Sequence, residues 1–136
     1  MNAQKRCGII GYPIAHSLSP AMHNAAFSKL ALPYKYELLE IKPEGLNSII
    51  AAVRAEFIGI NVTIPHKEKV IPLLDELTDE AKLIGAVNTI ENKKGKLIGH
   101  NTDGPGFIDS LQHDASFHPK GKKVVLLGAG GAARAV

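Results

Sequence analysis

The sequence predicts an α/β fold with three layers, α/β/α, around a mixed but mostly parallel sheet. Segments rich in β-branched and aromatic residues alternate with segments of helical periodicity, and Gly and Pro residues fall between them. Strands are expected at residues 6–10, 34–41 and 58–64, and helices at about 19–30 and 43–54. This β-α-β-α-β order favours parallel strands joined by right-handed crossovers, with helices on both faces of the sheet.

Composition and charge exclude several classes of function. The 136 residues are 45% hydrophobic and 21% charged, which is ordinary for a soluble globular protein. The net charge of +3 is weak and evenly spread, and there is no Trp, so nucleic-acid binding is not expected. No apolar run approaches the ~20 residues that span a membrane, and no signal peptide or metal site is predicted. The single cysteine, Cys7, fits a reducing cytoplasm.

Hydrogen-bonding residues occupy the end of the third expected strand. Asn61 and Thr63 alternate with apolar residues there, and Pro65 stops the strand and suits the first position of a helix expected at 66–71. Lys67 would lie in the first turn of that helix. Ligands of open α/β sheets bind outside the carboxyl ends of the strands, so these side chains are candidate ligand contacts. A solvated turn would contain the same residue types.

Two hydroxyls flank the beginning of the first expected helix. Ser19 followed by Pro20 is typical of a helix start with Ser19 as the cap, and Ser17 lies two residues earlier. Free backbone N–H groups and the helix dipole favour an anion at such an end, so the pair suits a carboxylate or a phosphate. Alternatively, Ser19 only caps the helix and Ser17 only shapes the loop. The helix is expected to direct its apolar residues toward the core, namely Met22, Ala26 and Leu30.

A short helix and a hairpin are expected next. A Thr-Asp-Glu start and a Gly end predict a helix over residues 78–85. Segments 86–90 and 96–100 flank a Gly-containing loop, which predicts a β-hairpin and makes the sheet mixed. A turn then leads into a helix expected at 107–113. Asp103 near its beginning is a candidate site residue or merely the cap.

The chain ends with a dinucleotide-binding pattern. A strand is expected at 122–127, and the glycine loop 128–133, Gly-Ala-Gly-Gly-Ala-Ala, follows it and opens a helix. In that context the glycines let the backbone approach a pyrophosphate at the helix amino terminus. We therefore expect a substrate-binding catalytic domain at 1–101. It would be followed at 102–136 by a linker helix and the truncated start of a Rossmann domain.

Five motifs together resemble shikimate dehydrogenase, and they occur in that family's order over nearly the whole chain. In one-letter code they are HSLSP with HN, NVTIPHK, GAVNT, NTDG and GAGGA. The resemblance implies reversible NADPH-dependent reduction of 3-dehydroshikimate to shikimate, in chorismate and aromatic amino-acid biosynthesis. It implies NADP(H) as the cofactor and a small molecule as the binding partner. Members of the family are about twice as long as this chain.

The resemblance also implies roles for single residues. Ser17 and Ser19 would bind the substrate carboxylate, and Lys67 would pair with Asp103 as the acid/base group at the reacting carbon. The ring hydroxyls would be bound by polar side chains, namely Asn61, Thr63, Asn88 and Asp103. The cofactor would be contacted by Asp79 and by the glycine loop, namely Gly128, Ala129, Gly130, Gly131 and Ala132. A reduced ketone leaves a negative oxygen, which needs the cation and the proton that Lys67 can supply.

Two other interpretations stay open. One is a related two-domain dehydrogenase that acts on quinate or on a folate, and the other is a non-catalytic module that senses shikimate-like ligands. The Ser17/Ser19 pair and Asn61 with Thr63 favour shikimate. An acid/base pair of Lys67 and Asp103 favours an enzyme over a sensor. A homodimer is also left open. Because a lone parallel strand is unstable without neighbours, the 136-residue chain alone is expected to be inactive.

Overall fold

The computed structural model describes residues 4–136, and residues 1–3 of the expected 1–101 domain lie outside the described residues. The strands in this range are β1 Lys5–Gly11, β2 Tyr34–Glu40, β3 Phe57–Val62, β4 Glu76–Leu77, β5 Thr89–Lys93 and β6 Lys96–His100. They form a six-stranded sheet in the spatial order β2-β1-β3-β5-β6-β4. β1 pairs in parallel with β2 and β3, and β4 with β6, whereas β5 is antiparallel to β3 and β6. The predicted mixed, mostly parallel sheet is confirmed.

Helices accompany the sheet along the described part of the chain. They are α1 Ser19–Lys29, α2 Leu46–Glu56, α3 Asp79–Ile84, α4 Asp103–His113 and α5 Gly131–Ala135. Short 3-10 helices lie at Pro43–Gly45, directly before α2, and at Ile71–Leu73. No helix within residues 4–136 is long and apolar enough to cross a membrane.

Core residues cover both faces of the sheet at β1. Successive residues of a strand point to opposite faces, so two neighbouring residues of β1 belong to two different core clusters. Ile10 belongs to the larger core cluster, together with Val53 of α2. Its neighbour Ile9 belongs to the second cluster, in which Tyr36 is buried and Phe27 of α1 packs. Helices therefore lie on both sides of the strands, and the three-layer α/β/α architecture is confirmed.

The orientation of α1 differs from the sequence prediction. The apolar residues expected on its packed face are exposed, namely Met22, Ala26 and Leu30. Instead, the Asn24 side chain donates to the backbone oxygen of Tyr36 and accepts from its N–H, at 2.9 and 2.8 Å. The His23 ring stacks on the Tyr36 ring with centroids 4.3 Å apart. Hydrophobic periodicity misses this orientation because polar and aromatic side chains make the contact.

The segment after β3 forms consecutive turns where a helix was predicted at 66–71. The His66 N–H donates to the Thr63 carbonyl, and the Val70 N–H donates to the His66 carbonyl, both at 2.9 Å. His66 is fully buried, and its Nε2 lies 2.7 Å from the backbone oxygen of Ile41. The six-residue segment before Pro72 is too short to be stable as a helix, so tertiary contacts determine its shape.

The segment from α3 to the hairpin largely follows the prediction. Thr78 caps α3 by accepting from the Ala81 N–H at 3.2 Å, and Gly85 ends it with φ at +70°. β5 begins at Thr89, and Ala86 and Val87 are buried in the connection from α3. The hairpin turn has two residues between β5 and β6, whereas the sequence predicted a loop over residues 91–95. Strand β4, two residues long, was not predicted.

The predicted strand at 122–127 is wrong. These residues have no regular secondary structure, and Val125 and Leu127 are 85% and 94% exposed. A parallel strand needs a neighbour to pair with, and the six strands of the sheet leave this segment unpaired. α4 begins at Asp103, four residues before the expected Phe107. The glycine loop does open a helix, α5, which has five residues.

Removal of the Asn24 side chain should loosen α1 from β2. We expect Asn24→Ala to lower the free energy of unfolding by about 1–3 kcal/mol, because both backbone polar groups of Tyr36 lose their partner. Ser28→Ala, an exposed position on the same helix, should change it by less than about 0.5 kcal/mol. Urea denaturation followed by circular dichroism measures both. Equal effects of the two variants would contradict the conclusion that Asn24 holds α1 against β2.

Candidate functional site

A half-buried ion pair lies at the carboxyl edge of the sheet. The Lys67 Nζ donates to Asp103 Oδ2 at 2.6 Å, and the side chains are 17% and 30% exposed. The other carboxylate oxygen, Oδ1, accepts from Asn88 Nδ2 at 2.9 Å. Both oxygens of Asp103 are therefore hydrogen bonded, which fixes the plane of the carboxylate against the Lys67 ammonium.

Backbone contacts place the two partners of this pair. The Lys67 carbonyl accepts from the Val87 N–H at 2.8 Å, so the turn after β3 is tied to the entrance of β5. Asp103 lies in the first turn of α4, and its N–H donates to Asn101 Oδ1 at 3.0 Å. Asn101 is itself buried and donates to the Ala86 carbonyl. The pair is thus positioned by segments that are far apart in sequence.

Asn61 and Asn88, both predicted site residues, lie in the same hydrogen-bonded cluster. Asn61 Nδ2 donates to Thr89 Oγ1 at 3.1 Å, and Thr89 Oγ1 donates to Asn88 Oδ1 at 3.1 Å. Asn61 Oδ1 accepts from the Tyr36 hydroxyl at 2.6 Å. The Asn88 side chain also exchanges hydrogen bonds with Thr102.

Sequence reasoning missed Tyr36, Thr89 and Thr102. The available signal for Thr89 and Thr102 was their position beside predicted site residues. Tyr36 gave no such signal, because its approach to Asn61 depends on the register of β2, β1 and β3. Burial raises the pKa of Tyr36 well above its ordinary value, the Cys7 thiol adds to that rise, and hydrogen bonding with Ser19 lowers it. The Tyr36 phenol therefore stays protonated and can donate.

Ser17, Ser19 and Thr63 line a cleft of about 550 Å³ beside the start of α1. Ser19 is the first residue of α1, and the residue before it makes no side-chain cap. Ser17 Oγ accepts from the Ser19 N–H at 3.3 Å. Ser19 is therefore not the helix cap that the sequence predicted, and both serine side chains border the cleft. A carboxylate here would meet two hydroxyls and the positive end of a helix.

A second cleft, of about 570 Å³, separates the turn after β3 from the glycine loop. Thr63 and Lys67 line one side, and the predicted cofactor residues line the other, namely Gly128, Gly130, Gly131 and Ala132. A Cβ added at Gly131 would lie 3.3 Å from the Lys67 Cβ and 3.1 Å from the Ala86 Cβ. Glycine at this position thus lets the loop backbone approach the Lys67 turn. Thr63 lines both clefts, so they adjoin.

Two of the predicted cofactor residues do not line the cleft. Ala129 does not line the cleft, and its carbonyl accepts from Arg134 Nε at 3.2 Å. Asp79 is fully exposed in the first turn of α3, where it pairs with Lys82 at 3.1 Å. The structure therefore brings together the predicted substrate residues, whereas Asp79 is not among the residues that line the cleft. Within the described residues, no cluster of His, Cys, Asp or Glu could hold a metal ion.

The glycine-loop helix contacts the substrate part of the chain directly. A Cβ added at Gly104 of α4 would lie 2.6 Å from the Ala135 carbonyl of α5. Arg134 Nη1 also pairs with Glu68 Oε2 at 3.3 Å. The helix after the glycine loop is therefore seated against α4 and against the turn that carries Lys67.

Comparison with known proteins gives a consistent family. The family described as shikimate dehydrogenase substrate binding domain matches residues 9–90. A shikimate dehydrogenase (NADP(+)) of Carboxydothermus hydrogenoformans is 59% identical over 133 residues, which are 97% of this chain and 47% of the relative. The chain spans about half the length of the curated relatives it matches.

Solved structures agree in fold. Shikimate 5-dehydrogenase of Thermus thermophilus, solved with NADP(H) and shikimate, is 45% identical with a TM-score of 0.90. The match covers 97% of this chain and 50% of that one. A 5-ketofructose reductase of a Gluconobacter strain is 41% identical with a TM-score of 0.87, over 99% of this chain and 48% of that one. Similar folds therefore occur in enzymes named for different substrates.

An added methyl group at Gly104 should displace α5. We expect Gly104→Ala to raise the amide hydrogen-exchange rates of residues 134 and 136, whose N–H groups are hydrogen bonded in and after α5, since its Cβ would overlap the Ala135 carbonyl. Gly106→Ala is the matched control on the same helix, because no atom lies within 4 Å of its added Cβ. That variant should leave α5 protected and stabilise α4 by about 0.5–1 kcal/mol. Equal exchange in both variants would show that α5 does not depend on this contact.

Proposed function

Because the chain belongs to the shikimate dehydrogenase substrate-binding domain family, we propose that it carries the substrate half of an NADP-dependent shikimate dehydrogenase. The reaction is the reversible reduction of 3-dehydroshikimate to shikimate. The observation that carries this proposal is the Lys67–Asp103 pair, 2.6 Å long and beside the cleft that the glycine loop lines. An acid/base group at that place is what reduction of a ketone to an alcohol requires.

Lys67 serves as the proton donor in the proposed reaction. The nicotinamide cofactor, when bound, supplies the hydride to the carbonyl carbon. The carbonyl oxygen then becomes negative. The positive charge of the Lys67 ammonium stabilises this oxygen, and Lys67 gives it a proton. Asp103 orients the Lys67 ammonium through their 2.6 Å hydrogen bond. Asn88 holds Asp103, so the ammonium is already placed when the substrate binds.

The remaining polar residues account for substrate recognition in this proposal. Ser17 and Ser19 bind the carboxylate, for which the start of α1 supplies a favourable dipole. The ring hydroxyls are bound by polar side chains, namely Asn61, Thr63, Asn88 and Asp103. Thr63 lines both clefts, so a substrate that reaches from the serine pair to Lys67 passes beside it.

The cofactor assignment rests on the glycine loop. We assign NADP(H) to the cleft lined by Gly128, Gly130, Gly131 and Ala132, where side-chain-free positions leave the backbone open to a pyrophosphate. In this proposal residues 1–101 are the substrate domain and residues 102–136 begin a Rossmann domain. A role for Asp79 at the cofactor is retained as a prediction that needs its own mutant.

By itself, the chain should bind the substrate without completing the reaction. The strand that would hold the glycine loop is absent in the described residues, and Leu127 just before the loop is 94% exposed. A loop without its strand is not held in place for a pyrophosphate. The substrate residues lie on hydrogen-bonded elements and do not depend on that strand.

Calorimetric titration of the 136-residue chain tests the proposal. We expect shikimate to bind weakly, NADP(H) not to bind appreciably, and no turnover of 3-dehydroshikimate. A double variant, Ser17→Ala with Ser19→Ala, should lose about 1.5–3 kcal/mol of shikimate binding per charge-assisted hydrogen bond. It should lose much less for an analogue without the carboxylate. Equal losses for both ligands would contradict the carboxylate assignment. Micromolar NADP(H) binding would contradict the proposal that this chain alone binds the substrate but not the cofactor.

A second candidate function is reduction of a different polyhydroxy ketone. The specific support is the 5-ketofructose reductase that is 41% identical to this chain. A sugar ketone has no carboxylate, so the Ser17 and Ser19 cleft favours shikimate over it. Titration of the same chain with 5-ketofructose and with quinate discriminates between these substrates.

The acid/base role of Lys67 can be measured in a chimera that continues this chain with the carboxyl-terminal half of the Carboxydothermus relative. We expect Lys67→Ala to lower kcat by about 10²–10⁴-fold, the usual range for a general acid, with a much smaller change in KM. Lys93→Ala, an exposed lysine of the hairpin, is the control and should leave both constants unchanged. A near-normal kcat with a large rise in KM would mean that Lys67 only binds the substrate.

Two features of the working protein are also proposed. Cys7 is a free thiol, which is compatible with work in the reducing cytoplasm. The exposed apolar residues Met22 of α1 and Leu30, which directly follows that helix, offer a surface for self-association, so a homodimer is retained as a prediction. Sedimentation over a concentration series would measure the second.

A further inference from the structure

Two residues with no assigned contact to the substrate connect the proposed substrate contacts into one chain of hydrogen bonds. The chain runs from the Tyr36 hydroxyl to Asn61, then to Thr89, Asn88 and Asp103. Its far end is the carboxylate that holds Lys67. Tyr36 begins the chain on β2, and Thr89 is its middle link on β5.

The direction of every bond in this chain follows from its carboxyl end. The Thr102 backbone N–H can only donate, and it lies 3.0 Å from Asn88 Oδ1. The Asn88 amide is therefore oriented with its NH₂ group toward Asp103, which as a carboxylate can only accept. Asn88 Oδ1 is then an acceptor for Thr89, so the Thr89 hydroxyl proton must point to it.

The same reasoning determines the orientation of Asn61. Because the Thr89 proton is used on Asn88, Thr89 Oγ1 accepts from Asn61 Nδ2. The second Asn61 NH₂ hydrogen faces the Asn88 backbone oxygen at 3.4 Å. Asn61 Oδ1 is thus an acceptor, and the Tyr36 hydroxyl donates to it at 2.6 Å. The free capacity of Asn61 is the second lone pair of Oδ1, so it can accept from a ligand hydroxyl but has no donor left to offer.

Tyr36 is held in place for this donation. Its backbone N–H and carbonyl are both bonded to Asn24 of α1, and the His23 ring stacks on its phenol ring at 4.3 Å. The residue is 5% exposed, and its hydroxyl oxygen can accept from Ser19 while its proton is donated to Asn61.

We propose that Thr89 and Tyr36 are positioning residues for Asn61: Thr89 passes on the orientation that Thr102 and Asp103 give to Asn88, and Tyr36 holds the oxygen end of the Asn61 amide. Asn61 thereby presents only an acceptor to the substrate. The inference rests on the proposed function, because it explains how that site recognises a hydroxyl. Without the Tyr36 proton, Asn61 Oδ1 loses its donor, and the amide is held only through its NH₂ group. Without the Thr89 hydroxyl both amides lose a partner.

The first test needs no ligand. Side-chain amide signals of Asn61 and Asn88 are assigned by ¹⁵N NMR in the 136-residue chain. Tyr36→Phe should shift the Asn61 signals and increase their exchange with water, and Thr89→Val should do so for both residues. Thr89→Ser keeps the hydroxyl and should restore the wild-type signals. Tyr34→Phe is the matched control, since the Tyr34 hydroxyl is bonded to no other described residue. Unchanged Asn61 signals in both Tyr36→Phe and Thr89→Val would overturn the proposal.

The second test measures shikimate affinity by titration of the same variants. Loss of one neutral hydrogen bond should weaken binding by about 3- to 10-fold in Tyr36→Phe, and Tyr34→Phe should bind as the wild type does. Cyclohexene-1-carboxylate, which keeps the carboxylate but has no ring hydroxyl, should bind equally to wild type and Tyr36→Phe. Wild-type affinity for shikimate in Tyr36→Phe would overturn the inference. If the wild-type chain does not bind shikimate at all, the proposed function fails while the amide signals still decide the inference.

Discussion

The hydrogen bonds of Asn88 hold together the segments on which the site depends. Its carbonyl accepts from the Val62 N–H at the end of β3, and its N–H donates to the His100 carbonyl at the end of β6. Its side chain bonds Thr102 and Asp103, which begin α4. One residue therefore joins the end of the parallel core, the end of the hairpin and the helix that supplies the carboxylate. Few substitutions could satisfy these partners together, since they need a short side chain with one acceptor and two donors.

Two glycines, Gly104 and Gly131, allow other segments of the site to approach one another closely. Gly104 and Gly131 have no side chain where α5 and the loop before it meet α4, Ala86 and Lys67. The approach brings a pattern typical of dinucleotide binding to within a side-chain length of the proposed proton donor. Hydride transfer requires cofactor and substrate to be adjacent, so a gap filled by larger residues would separate the two halves of the proposed chemistry.

Local signals in the sequence predicted much of the fold and most of the hydrogen-bonded residues around Lys67 and Asp103. The α3 cap and its glycine end, the alternation in β3 and the hairpin all depend on neighbouring residues, and sequence patterns report such neighbours. The orientation of α1 could not be predicted, because it is determined by Asn24 and His23 reaching Tyr36 on another strand. The strand at 122–127 has the right residues but no partner, and a strand forms only with one. Tyr36 was missed because its approach to Asn61 depends on how three strands are paired. The register of that pairing cannot be derived from the sequence of one strand.

The Lys67–Asp103 pair is better explained by chemistry than by stability. Partly exposed ion pairs contribute about 0–1 kcal/mol to folding, and a fixed lysine loses up to about 2 kcal/mol of rotamer entropy. The pair nevertheless carries further hydrogen bonds on Asp103 from Asn88, and the Asp103 backbone is fixed by Asn101. That much orientation adds little to the stability of a half-buried pair. It is useful where an ammonium must point at one oxygen of a bound ketone, because a group that is already oriented needs no rearrangement when negative charge develops.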